Sequence, residues 1–210
     1  MNKIEKIKLG RELRKELPTK KEPLIFLPHT VGELEDYLEI IKNIPLPQEE
    51  GLKGVTYVMR GLPGSGKSLV GDYLLTRQTA LKLSTDDLFI VGGEYKFDPR
   101  LLEFNHTRNF LRFLDVVDVT HPLVIDNTNL LEDWVSHYLE ASKFKGRINV
   151  VINFLPSDVE THLSRNIHKV PREVLEDLGK KFFQEDPWTW KNVKIVINAP
   201  NDLDLTKLGR

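Results

Sequence analysis

Gly61-Leu62-Pro63-Gly64-Ser65-Gly66-Lys67-Ser68 is the segment of this chain whose residue types and spacing are most specific for chemistry. Glycines at 61, 64 and 66 let a backbone curl until several N–H groups point into one concavity, the shape that receives phosphate oxygens. A helix beginning at Lys67 adds the partial positive charge of its N-terminus. Lys67 has the reach for the β- and γ-phosphates of a triphosphate, and the Ser68 hydroxyl suits a magnesium ion. The expected ligands are therefore ATP, or a similar nucleoside triphosphate, and Mg²⁺. Main-chain contacts are expected from Gly61, Pro63, Gly64, Ser65 and Gly66.

Three later segments carry groups that decide between transfer and mere binding. Ser84-Thr85-Asp86-Asp87 follows a predicted strand, and ligands of open α/β sheets lie beyond the carboxyl ends of strands. Asp86 is the candidate general base for an acceptor hydroxyl, and Asp87 either caps the next turn or faces a metal-bound water and the acceptor. Val124-Ile125-Asp126-Asn127-Thr128-Asn129 ends a second apolar strand. Asp126 there is a candidate magnesium holder, with Asn127, Thr128 and Asn129 on the acceptor side or, alternatively, forming an Asx-turn. In Ser164-Arg165-Asn166-Ile167-His168-Lys169, Arg165 and Lys169 are candidates to cover the phosphates, the alternative being a solvated helix end. His106 and Arg108 are weaker candidates of the same kind. Asp202-Leu203-Asp204-Leu205-Thr206 copies the spacing of aspartate-nucleophile phosphatases, and is read as coincidence.

The elements that must position these groups follow from hydrophobic periodicity. Strands are predicted over Val55–Arg60, Ala80–Leu83, Leu123–Ile125, Ile148–Phe154 and Lys194–Ile197. Helices are predicted over Lys67–Arg77, Pro99–Leu114, Leu131–Ser142, Ser157–Asn166 and Pro171–Phe183. Such alternation implies the α/β P-loop fold, a doubly wound, mostly parallel five-stranded sheet with helices on both faces. Residues 1–53 read as a helical N-terminal extension, with helices over 3–17 and from Thr30 to about Asn43, punctuated by Pro23, Pro28, Pro45 and Pro47. Residues 54–210 read as the P-loop domain. Apolar segments at Leu24–Leu27 and Ile40-Ile41 suit packing on this domain or on a protein partner.

Composition bounds the remaining possibilities. The 210 residues are 40% hydrophobic and 29% charged, enough apolar material for one core. There is no cysteine, which excludes disulfides and thiol chemistry, and no apolar run approaches a membrane span. A cytoplasmic setting without membrane attachment is expected. Net charge is −1, unlike proteins that wrap long nucleic acid, so a nucleic-acid partner would be gripped at an end or over a short stretch.

Taken together, GLPGSGKS, STDD, IDNTN and SRNIHKVPREVL resemble the P-loop kinase domain of the polynucleotide 5′-hydroxyl kinase family, over roughly Val55 to Phe183. The resemblance implies a doubly wound P-loop sheet, ATP on the P-loop, Asp86 as base, Asp126, Asn127 and Thr128 on the acceptor side, and Arg165 on the phosphates. The implied activity is transfer of the γ-phosphate to the 5′-hydroxyl of DNA or RNA, as in nucleic-acid repair. Leu69 follows Ser68 where the family often has a second hydroxyl residue, and Lys169 stands where a second arginine is expected. Two other readings are a kinase for a nucleoside, nucleotide or sugar nucleotide, and a nucleotide-gated module that binds without transfer. Near-neutral charge favours the first of these, and a base beside the γ-phosphate would be superfluous in the second.

Overall fold

The computed structural model describes residues 24–26, 41, 43 and 51–199. Its centre is a parallel sheet in which β2 (Gly54–Arg60) lies between β6 (Leu123–Asp126) and β7 (Arg147–Phe154). β3 (Leu81–Leu83) completes one side, and β8 (Ile195–Ala199) followed by β1 (Leu24–Phe26) completes the other. The order is β1-β8-β7-β2-β6-β3, every pair parallel. All five expected strands are present. The sixth comes from the segment read as a helical extension, where Leu24 pairs with Ile195 and Phe26 with Ile197. The expected helices over 3–17 and 30–43 and the Asp202–Thr206 match lie outside the described residues.

Parallel strands are buried on both faces, so their side chains divide between two cores. Val55, Tyr57 and Met59 of β2 join Ile148, Val150, Ile152 and Phe154 of β7 under α1 (Lys67–Arg77), with Val70 and Leu74. On the opposite face Val58, Ile125, Val151 and Val196 meet Phe113 of α2 (Leu102–Val116) and Val135, Tyr138 and Leu139 of α3 (Glu132–Phe144). Full burial of each such aliphatic side chain contributes about 1.5–3 kcal/mol. The two faces differ in one respect. The second also carries Thr56, Arg60, Arg147, Asn149 and Asn153, all buried, and these make polar ties at both ends of the sheet.

Two helices, α4 (Val159–Arg165) and α5 (Arg172–Phe182), connect β7 to β8. α4 starts where the Asp158 carboxylate accepts from the Thr161 N–H at 2.9 Å. Between β3 and α2 lie a 3₁₀ turn (Asp86–Phe89) and a small antiparallel hairpin, β4 (Ile90–Val91) with β5 (Glu94–Tyr95). Gly92 and Gly93 form its two-residue loop with φ of +64° and +83°, the left-handed pair that a hairpin twist demands. The sequence signal for it was that Gly-Gly pair, overlooked because each strand is two residues long. Other boundaries move by one to three residues. The expected helix at Pro99 opens as a 3₁₀ turn, Pro99–Leu101, before α2 proper.

Candidate active site

The P-loop leaves the end of β2 and enters α1, and its curl is enforced by sterics. Gly64 and Gly66 have φ of +77° and +91°. A Cβ on Gly64 would lie 2.5 Å from the His162 carbonyl oxygen, and one on Gly61 would lie 2.8 Å from both Phe154 Cβ and Ser65 Oγ. Only glycine fits at 61 and 64. α1 is also electrostatically unlike its neighbours: α2, α3, α4 and α5 each carry an acidic residue in the first turn, whereas α1 has none and begins with Lys67. A basic first residue opposes the helix dipole, so this N-terminus suits an anionic ligand.

Lys67 is buried and its Nζ donates to the Leu62 carbonyl at 2.7 Å, with Ser65 Oγ at 3.5 Å. Burial pulls its pKa down to about 8, against the opposing fields of Asp126 and Asp86. Two of the three carboxylates singled out in the sequence therefore favour the charged form of this lysine. Asp126 ends β6, 4% exposed, and burial raises its pKa. Lys67, Lys82 and a hydrogen bond from the Ser68 hydroxyl oppose that shift. Lys82 Nζ lies 3.8 Å from Asp126 Oδ2 and also pairs with Asp72. For Lys82, desolvation is outweighed by these carboxylates, and its pKa is raised. Ser68 and Asp126 present hard oxygen donors beside a glycine cradle, a donor set that fits magnesium.

The Asn127–Asn129 segment ties the site together. Gly61 N–H donates to the Thr128 carbonyl at 3.0 Å, and Thr85 N–H to Asn127 Oδ1 at 2.9 Å. Asn129 corrects the expectation of an acceptor contact. It is buried at 3% exposure, and its amide donates to the carbonyls of Met59 (2.7 Å) and Ile125 (3.1 Å). Its φ of +47° is a left-handed conformation that asparagine tolerates. Asn129 therefore acts as a splint between β2 and β6.

Asp86 and Asp87 are exposed in the first turn of the 3₁₀ segment, after Thr85, whose hydroxyl lies 3.1 Å from His106 Nδ1. Burial lowers the His106 pKa, partly offset by Asp86. Asp87 lies toward Lys82, whose pKa it helps to raise. Tyr95 donates its hydroxyl to Asp86 Oδ1 at 3.1 Å. Burial and the Asp86 charge push the phenol pKa up, so it stays a donor. Arg108 is exposed on α2, with its guanidinium 5.7 Å from the Phe104 ring centre. Arg165 is exposed, with its Cβ about one van der Waals contact from the position a Gly64 Cβ would take. Lys169 is exposed in the α4–α5 turn with φ of +54°.

The residue that joins P-loop and α4 is His162, which sequence reasoning missed. Ser157 N–H donates to its Nε2 at 3.1 Å, which makes Nδ1 the protonated nitrogen, donating to the Pro63 carbonyl at 2.9 Å. Burial holds its pKa low, and Lys67 and Arg165 also disfavour the charged form, against the Pro63 carbonyl and Asp158. Its only advance signal was a position one turn before Arg165. Arg60 was likewise missed. Its guanidinium bridges Asn153 Oδ1 (2.8 Å) and the carbonyls of Leu130, Phe182 and Glu185, stacked 3.9 Å from the Phe182 ring. It anchors the P-loop base to the end of α5. An apolar cleft of about 370 Å³ lies on the α4–α5 side of the P-loop, apart from the carboxylates, lined by Leu62, Val159, His162, Leu175, Gly179 and Phe183.

Comparison with known proteins bears on the family and the fold. NEDD4-binding protein 2 of Homo sapiens is 34% identical over 128 residues, covering 57% of this chain. The chain spans 7% of that relative's length. Among solved structures, a gluconokinase from Sinorhizobium meliloti 1021 is similar with a TM-score of 0.51 and 16% identity, covering 75% of this chain and 88% of that one. A chain of the Pnkp1/Rnl/Hen1 RNA repair complex is similar with a TM-score of 0.50 and 18% identity, covering 65% of this chain and 46% of that one. At these identities the structural likeness concerns the fold alone. No helix among the described residues is long and apolar enough to cross a membrane. Residues 57–183, more than half of the sequence, match the family described as an AAA domain. The chain thus belongs to the AAA domain family, with an α/β P-loop kinase-like fold.

Proposed function

We propose that this protein is an ATP- and Mg²⁺-dependent phosphotransferase whose acceptor is the 5′-hydroxyl end of DNA or RNA. The observation that carries the reading is a glycine loop that admits no side chain at 61 and 64, closed on the buried Lys67 ammonium, with Asp126 at the end of β6 and Asp86 just past the end of β3. A binding switch needs the cradle but not Asp86. In this reading the main chain of the 61–66 loop, chiefly the N–H groups of Gly64 and Gly66, and Lys67 hold the β- and γ-phosphates. Ser68 and Asp126 would hold magnesium, which would supply positive charge to offset the charge of the phosphates. Arg165 and Lys169 neutralise charge from the α4–α5 side, and Asp87, Asn127 and Thr128 face the acceptor.

Asp86 accepts the proton of the acceptor hydroxyl as that oxygen forms its bond to the γ-phosphorus. The bond from the γ-phosphorus to the β,γ-bridging oxygen breaks, and ADP leaves with the electron pair. Lys67 stabilises charge on the oxygens involved. The nucleic-acid acceptor is supported by the four motifs that resemble polynucleotide kinases and by the fold likeness to a component of an RNA repair complex. A small-molecule hydroxyl is the second reading, because the gluconokinase likeness covers more of both chains.

The test is direct. The protein is incubated with γ-labelled ATP, Mg²⁺ and 5′-hydroxyl DNA or RNA oligonucleotides, beside nucleosides and sugar acids. Label on the oligonucleotide 5′ end is expected. Label confined to small molecules replaces the acceptor. Asp86→Ala is expected to bind ATP with no transfer, and full turnover in that variant removes Asp86 as base.

A further inference from the structure

Three chain segments meet at the Asp86 carboxylate, and the side chains that two of them bring there, Tyr95 and His168, have no part in the mechanism above. The β4–β5 hairpin delivers Tyr95, whose hydroxyl holds Asp86 Oδ1 at 3.1 Å. The α4–α5 turn delivers His168, whose Nε2 lies 3.8 Å from Asp86 Oδ2. The two rings also touch each other, with centroids 4.3 Å apart and an interplanar angle of 44°. Tyr95 is braced from the sheet side by Phe89, which is 2% exposed, at 6.2 Å edge-on. Phe89 is in turn packed on Phe97 at 5.1 Å. The tyrosine thus stands on a fixed aromatic base, and His168 rests on it from the side that also carries Arg165 and Lys169.

We propose that Tyr95 and His168 form a latch that seats the α4–α5 turn over Asp86, with Tyr95 as a positioning residue for that carboxylate. An exposed aspartate has freedom about χ1 and χ2, and a base must face the acceptor within hydrogen-bond reach. The phenol holds one oxygen, and this sets the direction of the other. Contact with the same ring seats the turn that carries Lys169, so base orientation and phosphate cover depend on one side chain. The positioning half rests on Asp86 being the base. The seating half does not, because it concerns only contacts within the chain.

The experiment separates the halves. Hydrogen exchange at the Lys169 amide, which donates to the Asn166 carbonyl at 3.2 Å, reports seating of the turn without nucleotide. Tyr95→Leu and His168→Ala are each expected to speed that exchange about tenfold, while Tyr95→Phe, which keeps the ring, leaves it as in the wild type. Tyr95→Phe is expected to lower kcat about tenfold with KM for ATP unchanged. Unaltered exchange in both Tyr95→Leu and His168→Ala overturns the latch. Unaltered kcat in Tyr95→Phe overturns the positioning role. Failure of the base reading itself shows separately, as turnover by Asp86→Ala.

Discussion

Lys67, just past the C-terminal end of β2, and Arg147, paired in register with Gly54 at the other end of that strand, are both buried cations. Burial lowers both, Lys67 to about 8 and Arg147 to about 10. Their surroundings differ. Arg147 is wrapped by neutral acceptors: Thr56 Oγ1 at 3.0 Å, the carbonyls of Val55 and His121 at 2.7 Å each, and those of Val117 and Val119. Lys67 has one carbonyl at hydrogen-bond distance and is otherwise balanced through space by Asp126 and Asp86. An arginine that answers otherwise unpaired carbonyls at the end of two central strands is a structural clamp. A lysine held against burial by carboxylates that do not touch it is placed for something other than stability.

The largest expected effect tests the clamp. Arg147→Met should lose about 3–5 kcal/mol of stability, because several buried carbonyls at the end of α2 and the start of β2 lose their donor. Urea unfolding measures it, and a loss below about 1 kcal/mol would remove the distinction drawn here.

At the opposite end, Gly64→Ala should lose roughly 2–3 kcal/mol, since the new Cβ meets the His162 carbonyl in a left-handed backbone. Nucleotide affinity should fall with it, measured by calorimetric titration with ATP and Mg²⁺. Arg147→Met, where still folded, should bind nucleotide normally.

Lys67→Met should move stability the other way, upward by on the order of 1–2 kcal/mol, while nucleotide binding is lost. Its folded pKa lies below the ordinary lysine value, so burying the charged form is unfavourable at neutral pH. That penalty is fully present below about pH 8 and is relieved as pH rises toward 10.5, because the unfolded chain then binds more protons than the folded one. Wild-type stability relative to Lys67→Met should therefore rise between pH 8 and pH 10. A flat difference would mean that Lys67 is seated as comfortably as Arg147.

The smallest effect concerns His162. Its pKa is depressed from 6.5, so its contribution is fully present above that value and declines as pH falls toward the folded pKa. Acidification from pH 7 to pH 5 should weaken the P-loop–α4 tie, and His162→Gln should abolish that pH dependence in exchange of the Ser157 amide.

The α/β fold was largely readable because periodicity reports burial, and parallel strands bury nearly every residue, as the eight buried residues of β7 do. β1 was read only as an apolar segment that packs on this domain or on a partner. Its three apolar residues carry no periodicity, and only the edge of β8, about 170 residues onward, makes them a strand. Asn127, Thr128 and Asn129 looked alike in the sequence. Their separate duties depend on which neighbour each backbone or amide group reaches.

By itself the sequence determined the glycine-rich loop, because Gly64 and Gly66 permit the left-handed φ that its curl requires, and it determined that Asp126 ends a strand. Tertiary structure decided what holds those groups in place. Thr85 meets Asn127 across 42 residues, Met59 meets Asn129 across 70 and Pro63 meets His162 across 99. Contacts at such separations are set by how the sheet is assembled, and no local pattern of residue types encodes them.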